Sequence, residues 1–536
     1  MAGWAGPPGA AVDPSDLDGM AVPGLPTSDR CGAMLAQGDA WIERGREAGA
    51  RMVDGRIEQA VADVSPRRVV LRRDPIGLRP LYYACSRDRR TLAWASRPTQ
   101  LAALGWVDAS ADWEGILDVL SASPTFDPAR TCITGIRQVP PGHRIEWEPG
   151  RVRVVKQWDP ADHVWDGGRG PRRPAAEFAA LLVDAVGRRA DDRTGILLSG
   201  GIDSPSVAAA AVRGGLRPRT LSSVFPRHPS VDESGRIREV HARLGLDGDL
   251  VAVDDRGLEP ADELALHGEP HVAPNHGHMV GLLREAARLG HGTLLDGHDG
   301  DGALGPMHGL GRHLATRPRL ARDVLRYAAS VGIPRAHAVR VLASELAPAA
   351  GHAVYGRVRH RRTAQAVAEL QWAGPGILEW GEAHGHRPSW RDNQLRSAGP
   401  NLARSVVMLD RMAAAHGLHL AHPFADQGLL EFLLGLPPQA KHLHGRSKGL
   451  AREGFSELPS VIRDQGRKTA FNAAAEASHP LEALAPLVLD PRVPVPGVDY
   501  DALRRRVVSG GAYQPGEMGL LRRLALTHRF LALRAR

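Results

Sequence analysis

The sequence predicts an α/β protein of more than one domain, with a strand-rich α+β part followed by a parallel α/β part that has a helical C-terminal extension. Its 536 residues exceed the size at which a single hydrophobic core usually stops growing. Short alternating apolar runs between Pro-Gly turns fill residues 31–160, a pattern typical of strands. After residue 175, apolar runs alternate with segments of helical period, which is the order of a parallel sheet with crossover helices. Beyond about residue 310 a helical pattern dominates.

Shifts in composition mark the domain boundaries. Residues 1–30 are rich in Gly, Pro, Ala and Asp, and we expect them to be disordered because they bury too little apolar surface. Residues 161–174 combine chain breakers with charge and form the predicted linker. The first domain is therefore expected at 31–160 and the second at 175–536.

Composition argues against several classes of protein. No apolar run approaches the roughly 20 residues of a membrane span, and the first thirty residues lack the features of a secretory signal, so a cytoplasmic location is expected. The net charge is +8, but the basic residues are spread out, so no nucleic-acid partner is expected. Cys31, Cys85 and Cys132 lack the C-x-x-C spacing of a metal or redox site and are predicted to be free thiols.

A glycine-rich loop follows the predicted strand around Ile196. Its sequence is Ser-Gly-Gly-Ile-Asp-Ser (199–204), and Pro205 suits the first position of the following helix. Backbone amides at glycines, serine hydroxyls and a helix N-terminus together suit an oligophosphate. Asp203 would then hold Mg²⁺, which prefers carboxylate and phosphate oxygens. The alternative is an ordinary Gly-rich turn with a capping Asp or Ser.

A second acidic turn follows a later predicted strand. It spans residues 296–302 and contains Asp301. Ligands of open α/β sheets bind at the carboxyl ends of the strands, so Asp203 and Asp301 are the predicted metal pair. The alternative is a turn with solvated carboxylates.

Lysine is rare in this chain and concentrated near its C-terminal end. Arginine carries nearly all the positive charge, and the lysines are Lys156, Lys441, Lys448 and Lys468. Lys468 lies in the run Arg-Lys-Thr-Ala-Phe, where its ammonium would neutralise negative charge that develops on phosphate oxygens. The alternative role of Lys468 is that of an exposed surface residue.

Taken together, these motifs resemble the asparagine synthetase superfamily from about residue 50 to 475. The motifs that carry the resemblance are Arg73–Tyr83, similar to the family's glutaminase signature, and then Leu409–Met412, Pro423–Asp426, Lys448–Arg452 and Arg467–Phe471 in the family's C-terminal order. The resemblance implies a degenerate glutaminase-like (Ntn-type) α+β domain and a PP-loop ATP pyrophosphatase α/β domain with a helical extension. It also implies an enzyme that uses ATP and Mg²⁺ and forms AMP and pyrophosphate.

The N-terminal sequence departs from the family pattern. Family glutaminases use an N-terminal Cys nucleophile, whereas Met1 is followed here by Ala2, and Cys31 is the first cysteine. We therefore expect no glutamine hydrolysis, so the attacking amine would come from the substrate.

Members that resemble this pattern are the lasso peptide macrolactam cyclases and, less closely, the β-lactam synthetases. The first resemblance implies that an Asp or Glu side-chain carboxylate of a precursor peptide is adenylated and then joined to the N-terminal amine of the peptide. A leader peptidase and a leader-recognition protein are the further partners that it implies. A β-lactam synthetase-like or other small-molecule amide ligase, and a non-catalytic peptide-binding scaffold, remain alternatives.

The resemblance also implies roles for individual residues. His298 and His419 fall where β-lactam synthetases place side chains that help to deprotonate the amine, and imidazole suits a base near neutral pH. Either histidine could equally be a bystander. Lys468 is the third catalytic candidate. The residues expected around ATP are Leu197, Ser199, Gly200, Gly201, Asp203, Ser204, Val224, Asp296 and Gly297.

Overall fold

A computed structural model describes most of the chain, and every structural statement below concerns the residues that it describes. These are 2–5, 52–53, 56–57, 61–65, 68–122, 126–253, 260–272, 277–305, 314, 318–330, 332–346, 371–373, 377, 390–396, 398–465, 481–509 and 517–534. Lys468, Cys31 and most of residues 1–30 lie outside them. Ala2–Ala5 form a strand, so the disorder expected for residues 1–30 does not extend to these four residues.

The N-terminal part contains two antiparallel sheets of four strands each, with the orders β1-β7-β6-β8 and β10-β9-β5-β4, and a short β2-β3 hairpin. The strands are β1 Ala2–Ala5, β2 Met52–Val53, β3 Arg56–Ile57, β4 Val61–Ser65, β5 Arg68–Arg72, β6 Tyr82–Cys85, β7 Leu92–Ala95, β8 Arg137–Gln138, β9 His143–Glu148 and β10 Arg151–Lys156. Side chains from both sheets, such as Leu71, Leu92 and Trp147, share one buried core. The two sheets therefore pack face to face.

The second part is built on a parallel five-stranded sheet of order β13-β12-β11-β14-β15. Its strands are β11 Thr194–Leu197, β12 Arg219–Val224, β13 Gly248–Ala252, β14 Thr293–Leu295 and β15 His419–Ala421. Ile196 and Leu295 face one apolar core, whereas Leu197 and Leu294 face the other. Both faces are covered by helices, which explains why β11 is buried along its whole length. The strand order reverses between β11 and β14, where open α/β sheets bind ligands.

The helices follow the predicted pattern, with connecting helices between the strands and a helical C-terminal extension. The α-helices are Pro98–Ala102, Trp113–Leu120, Pro174–Arg189, Asp203–Arg213, Ser234–Leu244, Pro260–His267, Gly277–Arg288, Gly300–Leu304, Leu320–Ser330, Arg335–Leu346, Trp390–Arg396, Pro400–Ala414, Gln427–Gly435, Pro438–Lys441, Gly449–Gly454, Ser460–Arg463, Leu481–Leu489, Tyr500–Ser509 and Glu517–Arg534. Within the described ranges, none of these helices is long and apolar enough to cross a membrane.

The last helix packs against the first domain rather than against the parallel sheet. Its residues Leu524 and Phe530 share a buried cluster with Ala93 of β7 and Ile116 of helix Trp113–Leu120. Arg523 also donates a hydrogen bond from Nε to the Leu120 carbonyl at 3.0 Å. The C-terminal end of the chain therefore contributes to the core of the N-terminal part.

Lys441 is a fully buried cation that stands between two helices. Its ammonium donates to the carbonyl of Ala303, at 3.4 Å, and to the side-chain oxygen of Gln394. Burial lowers the pKa of Lys441 to about 7. Since an unfolded chain restores the ordinary pKa of 10.5, the charged form of this lysine opposes folding.

We expect Lys441→Met to stabilise the protein by about 2 kcal/mol at pH 6.5, because a buried charge is replaced by an apolar side chain of similar length. Below pH 7 the lysine is charged in both states, so the penalty is complete. As pH rises from about 7 towards 10.5, the folded state loses the proton first and the wild-type protein gains stability. Denaturant unfolding at pH 6.5 and 9.5 should therefore show a smaller advantage of the variant at pH 9.5. An advantage that is independent of pH would contradict this account.

Candidate nucleotide site

The glycine-rich loop joins the carboxyl end of β11 to helix Asp203–Arg213 and closes on itself through its two serines. The backbone N–H of Ser199 donates to Ser204 Oγ at 2.8 Å, and the two serine hydroxyl oxygens are 3.0 Å apart. The Gly201 N–H points at Ser199 Oγ from 3.4 Å. These bonds hold the loop in an open turn at the start of a helix, where backbone amides favour anions.

A buried carboxylate already occupies one amide of this loop. The Gly200 N–H donates to Glu233 Oε2 at 2.8 Å, and Arg236 donates from Nη2 to the other oxygen of Glu233 at 2.8 Å. Glu233 reaches the loop from the segment after β12, so the site joins two strand ends. A carboxylate oxygen at this amide shows that the loop accepts an oxygen anion, as a phosphate-binding loop must.

The second acidic turn lies directly on the glycine-rich loop. A Cβ on Gly297 would come within 2.4 Å of the Ser204 backbone nitrogen, and one on Gly300 within 2.5 Å of Asp203 Cγ. A side chain at Gly297 would have to displace backbone, and one at Gly300 would have to displace the Asp203 side chain. The two turns therefore form one site at the carboxyl edge of the sheet.

The close approach at Gly297 gives a testable consequence. In Gly297→Ala, the added methyl group must push the second turn away from Ser204, which should cost about 2 kcal/mol in stability and at least about tenfold in ATP affinity. Gly187→Ala is the control, because a Cβ on that helical glycine meets nothing within 4 Å. Thermal unfolding and ATP titration would measure both effects, and an unchanged ATP affinity would argue against a site at this contact.

Lys448 joins the two carboxylates of the predicted metal pair. Its Nζ lies 2.5 Å from Asp203 Oδ2 and 2.6 Å from Asp301 Oδ1. Burial disfavours the ammonium, but the attraction of Asp203 and Asp301 outweighs this and raises the pKa of Lys448. The structure thus brings the predicted pair within reach of one cation.

The donors at this position fit Mg²⁺. The Lys448 ammonium contacts one oxygen of Asp203 and one of Asp301, so a single cation can reach both carboxylates. Mg²⁺ commonly combines one or two carboxylates with phosphate oxygens. In the described part of the chain, no group of three or more His, Cys, Asp or Glu side chains is arranged to hold a metal without such help. Asp299 lies beside the pair, and burial together with the charges of Asp301 and Asp203 raises its pKa well above the usual range.

Asp296 organises the histidines at the end of β14. Its Oδ1 accepts the backbone N–H of His298 at 3.1 Å and faces Nδ1 of His422 at 2.9 Å. Although burial opposes its charge, His422 and His298 lower the pKa of Asp296. The rings of His298 and His422 lie 5.6 Å apart, and His298 Nε2 is 3.0 Å from Ser405 Oγ. His298 therefore belongs to the site, together with His422, to which the sequence interpretation assigned no role.

The position of His419 does not support its expected role. It begins β15 beside Thr293, at the amino edge of the parallel sheet, whereas the nucleotide loop lies at the carboxyl edge. Arg79 Nη2 lies 2.5 Å from His419 Nδ1, and burial and Arg79 lower the pKa of His419 to about 3. An imidazole in these surroundings is a structural contact, and we do not retain His419 as a base.

The other predicted residues differ in how well they are placed. Leu197 and Val224 end β11 and β12 on the same edge of the sheet as the loop, and Leu197 also lies just before the loop in sequence. Lys468 lies outside the described residues. Lys448, Glu233 and His422 were missed as site residues. Lys448 does fall in the motif Lys448–Arg452, one of those that carry the resemblance, and this position was the available sign that Lys448 belongs to the site.

The motif Arg73–Tyr83 forms a tight turn that fastens the two parts of the molecule together. Asp74 accepts backbone N–H groups of the turn, among them Gly77 at 2.7 Å and Leu78 at 2.9 Å. Arg79 at the end of this turn forms an ion pair with Asp410 of helix Pro400–Ala414. In this chain the motif has a structural role at the contact between the domains.

The described cysteines are free thiols, as predicted for them. Burial raises the pKa of Cys85 and raises that of Cys132 well above the usual range. A nucleophilic cysteine needs a lowered pKa, so neither thiol is activated.

Comparisons with known proteins agree with this architecture. The Asparagine synthase family matches residues 177–518, and the Glutamine amidotransferase domain family matches residues 37–158. No curated protein matches the chain. The two matches confirm the predicted combination of a glutaminase-like α+β part with a synthetase-type α/β part. Because the first match alone spans more than half of the sequence, the chain belongs to the asparagine synthetase superfamily, a family of ATP-dependent amide-forming ligases.

Proposed function

We propose that this protein is an AMP-forming macrolactam synthetase. It would adenylate an Asp or Glu side-chain carboxylate of a precursor peptide and join it to the peptide's N-terminal amine, as a lasso peptide cyclase does. The observation that carries the proposal is the meeting of Asp203, Asp301 and Lys448 at one point. They lie beside the glycine-rich loop, in which the Gly200 N–H binds the carboxylate of Glu233. This arrangement suits the activation of a carboxylate with ATP.

The proposed first step is attack of the substrate carboxylate oxygen on the α-phosphorus of ATP, which breaks the bond to pyrophosphate and leaves an acyl adenylate. Ser199, Gly201 and the helix that begins at Asp203 would hold the phosphates. Mg²⁺, held by Asp203 and Asp301, would offset the negative charge on pyrophosphate. Lys448 and Lys468 are the cations of this chain proposed to act on the same oxygens.

The second step is attack of the substrate amine on the acyl carbon, with AMP leaving. The amine must lose a proton, and His298 is the proposed base because it follows β14 at the same edge of the sheet as the nucleotide loop. Asp296 and the buried His422 would hold the His298 turn in place. His298→Gln should therefore slow ring closure more than ATP–pyrophosphate exchange.

The absence of glutaminase activity is a further part of the proposal. Cys85 and Cys132 both have raised pKa values, which does not suit a thiolate nucleophile. The amine would then come from the substrate itself, which makes an intramolecular reaction the natural use of the site. Glutamine added to the protein with ATP should yield no glutamate.

The direct test supplies ATP, Mg²⁺ and synthetic leaderless peptides that carry Asp or Glu at varied positions, and follows products by mass spectrometry. A peptide product lighter by one water, formed together with AMP, would support the proposal. ADP in place of AMP would contradict it. Cyclisation of small β-amino acids but of no peptide would favour the β-lactam synthetase-like alternative, and unchanged binding without any nucleotide turnover would favour a peptide-binding scaffold.

A further inference from the structure

Two of the four lysines of this chain contact the same short helix, Gly300–Leu304, near its two ends. Lys448 Nζ lies 2.6 Å from Asp301 Oδ1 in the first turn of the helix. Lys441 Nζ donates to the carbonyl of Ala303, just before the helix ends, at 3.4 Å. Lys441 ends one helix and Lys448 directly precedes the next one. One short segment of the chain therefore holds the helix of Asp301 with two cations.

The Lys441 ammonium joins three helices at the end of helix Gly300–Leu304. The last carbonyls of a helix have no partner within it, and a cation is favoured at this end of the helix dipole. The ammonium also donates to the side-chain oxygen of Gln394, which is buried on helix Trp390–Arg396. That helix packs against helix Gly300–Leu304. Lys441 therefore fastens both of these helices to its own.

Stability does not account for a lysine at this position. The side chain of Lys441 is fully buried, and burial lowers its pKa to about 7. Within the described ranges, no carboxylate forms an ion pair with Lys441 that would offset this cost. Replacing a buried charge by an apolar side chain of similar volume is often neutral or stabilising. What the ammonium supplies, and an apolar side chain cannot, is a donor for the Ala303 carbonyl.

The helix that carries Asp301 depends on contacts from outside. Five residues are too few for a helix to be stable by itself, so its direction follows from what holds its ends. Near its start, Lys448 contacts the Asp301 carboxylate, but this ammonium occupies the position at which Mg²⁺ is expected to bind. The Lys448 contact is therefore exchanged when the ion binds. The Lys441 contact at the other end uses a backbone carbonyl and remains.

We propose that Lys441 is a positioning residue of the metal site, which holds helix Gly300–Leu304 so that the Asp301 carboxylate reaches the ion bound to Asp203. Groups that orient metal ligands commonly contribute a factor of about 10 to 100 in metal affinity. The inference rests on the proposed function for the identity of the ion and of ATP. Metal affinity and the order of the helix can both be measured without peptide turnover.

The first test compares Lys441→Met with wild-type protein in two measurements that a merely structural role would move together. ATP binding, followed by calorimetry over a series of Mg²⁺ concentrations, gives the Mg²⁺ affinity, which should fall about tenfold in the variant. The melting temperature without Mg²⁺ should rise, because the buried charge is gone. Lys156→Met, which removes an exposed lysine, is the control and should change neither value.

An unchanged Mg²⁺ affinity of Lys441→Met would overturn the inference. A fall in both Mg²⁺ affinity and melting temperature would also overturn it, because a general loss of packing would then explain the weaker binding. Hydrogen exchange without Mg²⁺ reports on the helix itself. The Gly305 N–H, which bonds to the Asp301 carbonyl at 3.2 Å, should exchange faster in the variant although the whole protein is more stable. Exchange at the wild-type rate would contradict the proposed role.

The second test asks whether Lys441 acts through Asp301. In an Asp301→Asn background, Lys441→Met should lower the Mg²⁺ affinity by less than about twofold, since the carboxylate that it positions is already lost. A further loss as large as in the wild-type background would overturn the inference.

The same experiments separate this inference from the proposed function. If Lys441→Met weakens Mg²⁺ binding as expected but wild-type protein cyclises no peptide, the positioning role stands and the proposed function fails. If wild-type protein cyclises a peptide and Lys441→Met binds Mg²⁺ as tightly as wild-type protein, only the positioning role fails. Wild-type protein whose ATP binding does not depend on Mg²⁺ would overturn the positioning role as well.

Discussion

Asp203→Asn should reduce ATP–pyrophosphate exchange by on the order of 10³-fold, since a bound cation supplies several kcal/mol of charge stabilisation and each 1.4 kcal/mol is tenfold in rate. Asparagine keeps the size of the side chain but cannot neutralise a divalent ion. Asp301→Asn removes the second ligand of the pair and should have a smaller effect, because Asp301 is half exposed.

The matched control for these variants is Asp192→Asn. Asp192 is an exposed carboxylate that precedes the amino end of β11, whereas Asp203 follows its carboxyl end. Exchange activity of the control should equal that of the wild-type protein. Full activity in Asp203→Asn at saturating Mg²⁺ would remove Asp203 from the metal site and would leave the nucleotide loop without its proposed ion.

Lys448→Met should destabilise the Mg²⁺-free protein by about 2 kcal/mol, because Asp203 and Asp301 then face each other without a cation. Exchange activity should also fall about 100-fold, because Lys448 would turn to the phosphate oxygens once Mg²⁺ takes its place between the two carboxylates. Because the folded-state pKa of Lys448 is raised, the stabilisation by the ion pairs is complete below the ordinary lysine pKa and is lost as pH rises through the folded value.

The change in melting temperature on adding Mg²⁺ tests the position of Lys448 more directly than exchange activity does. Adding Mg²⁺ should raise the melting temperature of Lys448→Met more than that of the wild-type protein, since in the variant the ion no longer competes with an ammonium. Lys156→Met is the control, because Lys156 forms an exposed ion pair with Asp159. An identical response of the two proteins to Mg²⁺ would show that Lys448 and the metal do not share a position.

Local patterns predict the two kinds of sheet and one edge of the site well. Ile196 and its neighbours form a short apolar run, and a run of this length followed by Ser-Gly-Gly is strong evidence for a buried strand and a phosphate loop. Asp203 and Asp301 meet because each follows a parallel strand, and carboxyl ends of neighbouring parallel strands share an edge. The sequence alone shows that each of these aspartates follows a predicted strand, and that the strands alternate with helices as in a parallel sheet.

Contacts that depend on strand bounds or on distant segments are not predictable in the same way. His419 begins the short strand β15 and His422 follows its last residue, and only the strand direction decides which of them reaches the carboxyl edge. Glu233 enters the site from the segment after β12, and Lys448 enters it from the residue before helix Gly449–Gly454. No local periodicity indicates such contacts, because they follow from how the helices pack around the sheet.

The packing of helix Glu517–Arg534 on the first domain has a consequence for how the protein is made. The apolar surface around Ala93 and Ile116 is completed by Leu524 and Phe530, which the ribosome adds long after the first domain. At about 5–20 residues per second, the nascent first domain would wait for tens of seconds before its final partner emerges. The face of the sheet that carries Ala93 is therefore fully covered only after this helix has been made. Chains that lose this helix should expose the apolar surface and aggregate, even though the helix contributes no residue to the nucleotide site.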